Sequence, residues 1–147
     1  MVTVDRSALV EFSAERMYAL VNDVEAYPRF LPWCSDAAVT SHHGGSRTLA
    51  TIHVNYHGIR EKFTTENSNE PGSAIAMQLV SGPFRQLRGH WRFTPLDANA
   101  CKVELRLEYE ISSRLLKRIL GPVFHHIADT LVHAFVRRAQ QIYAGPA

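Results

Sequence analysis

The chain has 147 residues, 46% of them hydrophobic and 20% charged, with a net charge of +2 at pH 7 when histidine is neutral. This composition predicts one globular domain over residues 1–147 and excludes long disordered tails, which need apolar-poor, strongly charged stretches. Sixteen Lys and Arg against fourteen Asp and Glu is too even for a dedicated DNA binder.

Val2 to Val10 is β-branched and reads as a strand. Ser13 stands as the N-cap of a following helix, with Phe12 and Met17 at the two positions of a hydrophobic staple. Met17, Leu20, Val21 and Val24 supply its apolar stripe. A second short helical segment through Glu25 and Ala26 is expected to stop by Tyr27, because Pro28 biases the residue before it away from helix. The residues from Met1 to Arg6 lack the pattern of a signal peptide, and the apolar runs are short against the ~20 residues of a bilayer span. A cytoplasmic setting is therefore expected, with Cys34 and Cys101 as reduced thiols.

From Cys34 the period changes from 3.6 to 2. Ile52, Val54 and Tyr56 alternate with Thr51, His53 and Asn55, and Ile59, Glu61, Phe63 and Thr65 form a row against Arg60, Lys62, Thr64 and Glu66. Ile75, Met77 and Leu79 form another row, as do Leu87, Gly89, Trp91 and Phe93. The clearest is Val103, Leu105, Leu107, Tyr109 and Ile111 against Lys102, Glu104, Arg106, Glu108 and Glu110. This alternation predicts antiparallel strands with one wet face. Turns are expected at Gly44-Gly45, His57-Gly58, Pro71-Gly72, Gly82-Pro83 and Asp97-Ala98-Asn99, too short for parallel crossovers.

The last third is helical again. Leu116, Ile119, Leu120, Val123, Phe124, Ile127, Leu131, Phe135, Ala139 and Ile142 recur at threes and fours. Gly121-Pro122 is expected either to break this run or to start the long helix, which from Pro122 to Tyr143 would be about twenty residues, or ~30 Å. One apolar sheet face and one apolar helix stripe must bury each other, so the fold class is α+β with a curved antiparallel sheet wrapped around the last helix.

The stretch Tyr27-Pro28-Arg29-Phe30-Leu31-Pro32-Trp33-Cys34, preceded by Leu20-Val21-Asn22-Asp23-Val24, resembles the signature of the coenzyme-Q-binding START-domain family, whose bacterial members include the ribosome-association toxin. Ser7 to Val10, Ser81-Gly82-Pro83-Phe84 and the segment from Ala134 to Ala139 resemble the family's opening, mid-chain loop and terminal helix. Ala26 departs from the Asp or Glu often found before Tyr-Pro. The resemblance implies a helix-grip (START, Bet v 1-like) fold and an apolar cavity binding a polyisoprenoid quinone, such as ubiquinone, without turnover and with no cofactor required. Such a protein would serve respiratory electron transport as a lipid chaperone, with transient contact at the inner membrane surface. The alternative the family offers is a toxin that binds the large ribosomal subunit and blocks subunit joining; the third is a cyclase or aromatase, on fold analogy alone.

Val54, Tyr56, Phe63, Met77, Leu79, Phe84, Trp91, Phe93, Leu105, Leu107 and Tyr109 are the expected ligand-binding residues of the sheet, with Phe124, Ile127, Leu131 and Phe135 opposite on the helix. Phe30, Leu31 and Trp33, pinned by Pro28 and Pro32, are expected either to rim the mouth or to plug the core. Tyr56 and Tyr109 are better placed than Arg88 or His90 to donate to a quinone head. Arg114, Lys117 and Arg118, with Arg137 and Arg138, are the candidate docking residues, or else a solvated helix face. No metal site is expected: His42-His43 lies in a turn, and His125, His126 and His133 lack the spacing and acidic partner of a helical zinc pair. Glu61, an acid on an apolar row, is the one catalytic candidate and is expected at a strand end instead.

Overall fold

A computed structural model describes residues 1–42 and 46–143, with the backbone alone at residues 41 and 42. Strand β1 (Val2–Val10) leads into helix α1 (Ala14–Asn22), where Ser13 Oγ accepts from the Arg16 N–H at 3.2 Å as the N-cap. A 3-10 helix over Val24–Arg29 follows. It runs through Pro28 rather than ending by Tyr27, since in so short a segment the missing proline N–H costs one bond, and the N–H groups of Phe30 and Leu31 both close on Tyr27 O.

Six strands come next: β2 (Cys34–His42), β3 (Arg47–Tyr56), β4 (Ile59–Glu70), β5 (Ala74–Ser81), β6 (Phe84–Asp97) and β7 (Ala100–Ile111). With β1 they form one antiparallel seven-stranded sheet in the order β1-β7-β6-β5-β4-β3-β2. The turn between β3 and β4 holds His57 and Gly58 at φ 49° and 81°, the two-residue hairpin whose twist matches its strands. The expected Gly44-Gly45 turn and the His43 side chain lie outside the described residues, as does the His42 side chain.

Helix α2 (Arg114–Tyr143) has 30 residues and is about 45 Å long at 1.5 Å per residue. It begins at Ser113, whose Oγ accepts from the Leu116 N–H at 3.1 Å, and Pro122 lies inside it. Gly121-Pro122 therefore neither breaks nor starts the helix. Pro122 is exposed, where the hydrogen bond that its ring removes lies on the solvent side, while the stripe of Leu120, Val123, Phe124 and Ile127 stays buried on either side. By length and composition α2 also matches a membrane-crossing helix, contrary to the sequence expectation, but its apolar stripe is spent on the sheet. An Arg6–Asp129 ion pair ties β1 to it.

The interior has two clusters. Val10, Met17, Tyr18, Val21, Trp91, Phe93, Val103 and Phe135 pack under α1 at one end. Trp33, Ile52, Val54, Phe84, Tyr109, Phe124 and Ile127 occupy the other, toward the start of α2.

Candidate functional site

The second cluster surrounds a cavity of about 110 Å³. Its hollow follows from small residues on facing elements: Ala50 on β3 and Ala128 on α2, both buried, present a methyl group where neighbours carry rings or branched chains. Trp33, Phe63, Met77, Phe84, Trp91, Leu105, Leu107 and Tyr109 line it with Phe124, Ile127 and Leu131 of α2. Phe84 and Leu87 share this face despite their odd spacing, because a β-bulge between Phe84 and Gln86 shifts the pairing to β7.

Seven of the expected ligand-binding residues stand off the cavity. Phe93 and Phe135 belong to the cluster under α1, with Phe93 edge-on to Tyr18 at 5.9 Å between ring centroids. Leu31 is a fully buried plug, Val54 is buried in the wall behind, and Leu79 is half-buried on the short β5. Tyr56, the last residue of β3, is not part of the cavity lining and stacks on His126 at 5.3 Å. Phe30 covers Tyr27 and Phe135 from outside, and the Arg138 guanidinium lies 5.2 Å from its ring.

Residues not expected at the site complete it: Val24, Tyr27, Ala50, Ile52, Thr65, Asn67, Leu87 and Ala128. The signal for Thr65 and Asn67 was present, since both continue the inward row of Phe63 along β4. Inside, Thr65 Oγ1 donates to Asn67 Oδ1 at 2.7 Å, and both residues are buried.

The lining has no carboxylate, imidazole, amine, guanidinium or thiol. Its titratable groups are Tyr27 and Tyr109, and burial pushes both phenols above their ordinary value of 10. Neither is a general base near neutrality. Glu61 faces a shallow outer groove with Ser35, His53 and Lys62 instead. Among the described residues no cluster of His, Cys, Asp or Glu side chains fits a metal ion. Burial pushes the Cys34 thiol up to about 11 and raises Cys101 as well.

The docking candidates form two patches. Arg114, Lys117 and Arg118 flank the start of α2, where Arg114 and Lys117 line a groove of about 500 Å³ with Arg85 and His125. Arg137 and Arg138 lie twenty residues on, about 30 Å along the helix, beside Arg29 and Phe30. Cations at the start of α2 oppose its dipole, and no acid offsets them in the first turn.

The model of the family "Polyketide cyclase / dehydrase and lipid transport" matches residues 10–136. The chain is 52% identical to the ribosome association toxin RatA of Vibrio cholerae, over 97% of this chain and 99% of that protein. It is 30% identical to a mitochondrial coenzyme Q-binding protein COQ10 homolog of Xenopus laevis, over 93% of this chain and 57% of that protein. The crystal structure of the ZhuI aromatase/cyclase from Streptomyces sp. R1128 superposes with a TM-score of 0.78 at 17% identity, over 99% of both chains, a likeness of fold. The seven-stranded sheet closed on one long helix is a helix-grip architecture, the fold it shares with that aromatase/cyclase. This chain belongs to the polyketide cyclase/dehydrase and lipid transport family, on its START-like branch with the RatA toxins and the COQ10 homologs.

Proposed function

We propose that this chain binds a small apolar ligand in its interior without chemical turnover, and that the ligand is the ring of an isoprenoid quinone. The carrying observation is a hollow of about 110 Å³ walled mostly by aromatic and aliphatic side chains, with no carboxylate, imidazole, amine or guanidinium in its lining. A dry apolar cavity of about 150 Å³ holds benzene, so this smaller space takes one ring with some movement of its half-buried walls. Half-buried Phe63, Met77 and Leu131 must give way for a substituted quinone, and an isoprenoid tail must leave the cavity. Similarity to a coenzyme Q-binding homolog supports the same ligand class. Native mass spectrometry of the purified chain, followed by organic extraction, tests this: a quinone released from the wild type is expected. An empty chain that also takes up no added short-tail quinone would contradict it.

A second reading, ribosome association, is favoured by the 52% identity to RatA along nearly the whole of both chains. It uses the surface rather than the interior, so the two readings are compatible. The uncompensated cations Arg114, Lys117 and Arg118 are the surface we assign to it, facing the phosphates of the large ribosomal subunit. Co-sedimentation with large subunits, weakened at least tenfold by reversing these three charges, is expected. Equal sedimentation of the charge-reversed chain would move the contact elsewhere.

A further inference from the structure

We propose that Asn67 is a hydrogen-bond donor built into the cavity to recognise a carbonyl oxygen on an otherwise apolar, ring-sized ligand. The inference rests on the ligand-binding reading above and adds to it the polar group that gives the cavity its chemical preference. Asn67 is 7% exposed and lines the cavity on the inward row of β4. Its carbonyl is already used, because Thr65 Oγ1 donates to Asn67 Oδ1 at 2.7 Å. With Oδ1 engaged in this way, Nδ2 is the free end of the amide. Among the described residues nothing accepts from Asn67 Nδ2.

Asn67 Nδ2 keeps some accessible surface on a residue that lines the cavity, so an incoming acceptor can reach it. A side chain of similar size, such as Leu, would continue the apolar row without offering that donor. The surroundings narrow the ligand. With Ala50 and Ala128 leaving room for one ring and no charged group in the lining, an ionised ligand would have no partner, whereas a neutral carbonyl needs only the donor present.

The test uses two probes of nearly equal shape, acetophenone, which carries a C=O, and α-methylstyrene, which carries C=CH2 in its place. Their affinities are compared by calorimetry in the wild type, in Asn67→Leu and in the double variant Thr65→Val/Asn67→Leu, which removes the pair together and leaves no orphaned hydroxyl. The wild-type preference for acetophenone over α-methylstyrene is expected to fall about 2- to 10-fold in both variants, the range one net hydrogen bond supplies. In the wild type alone, acetophenone should shift the Asn67 side-chain amide resonances and α-methylstyrene should leave them near their free positions. Equal preference in wild type and variants, or an amide unmoved by bound acetophenone, overturns the role of Asn67 and leaves the cavity as a plain apolar site. Failure of both probes to bind the wild type overturns this inference and the ligand reading together.

Discussion

The two ends of the interior share β1, β6, β7 and α2 yet differ in how completely they are filled. Under α1, Met17, Tyr18 and Val21 press onto Trp91, Phe93 and Val103, and Phe135 is wholly buried with its ring 5.3 Å from that of Trp91. Toward the start of α2 the 3-10 helix Val24–Arg29 packs on β2, and Ala50 and Ala128 line a hollow. The filled end supplies stability, since close packing recovers the full dispersion and burial terms. The hollow end forgoes some of that stability and keeps a space that a ligand can occupy.

The largest effect should come from truncating an aromatic at the filled end. Phe135→Ala, which removes a ring touching Tyr27, Phe30 and Trp91, should cost about 3–5 kcal/mol in chemical denaturation. Phe63→Ala at the hollow end starts from a half-buried side chain beside existing space and should cost only about 1–2 kcal/mol. Equal losses would erase the distinction between the ends.

Enlarging an alanine sharpens the same contrast. Ala139, fully buried in the filled cluster, has no room to grow, so Ala139→Leu should cost about 1–3 kcal/mol through overpacking. Ala128→Leu extends into the cavity and should cost less than about 1 kcal/mol by the same assay while weakening ligand uptake at least tenfold. The reverse order of denaturation midpoints would place the free space elsewhere.

A smaller effect concerns Cys34. Burial raises its thiol pKa from 9.0 to about 11, so the folded state favours the protonated form. The corresponding stability is fully present below the unfolded value and is lost as pH rises through about 11. Denaturation midpoints measured from pH 8 to 11 should therefore decline more in the wild type than in Cys34→Ala, and both native thiols should resist alkylation at pH 8.

Much of this architecture was legible in short-range pattern. The alternation from Val103 to Ile111 and the inward row from Phe63 identify the wet and dry faces without any tertiary information, and Ser13 announces its helix. What spacing could not show is where along the rows the interior is filled. Trp91 and Phe93 share one row and stack on each other, yet only Trp91 also lines the cavity, because α1 comes to rest over Phe93. The bulge that turns Phe84 inward and the helix that continues past Pro122 also depend on partners distant in sequence, the strand β7 and the sheet that holds α2. Asn67 was missed for a different reason: a polar residue on a core row reads as a strand end until its neighbours are seen to be buried.

The most direct test of the hollow end as the ligand site is a set of intermolecular nuclear Overhauser effects between methyl-labelled protein and a quinone carrying one isoprene unit. Contacts from the quinone ring to the methyl groups of Ala50, Leu105 and Ala128 are expected, with none to Ala139 or Val10. Ring contacts confined to Ala139 and Val10, or to the exposed methyls of Leu115 and Ile119, would contradict the account.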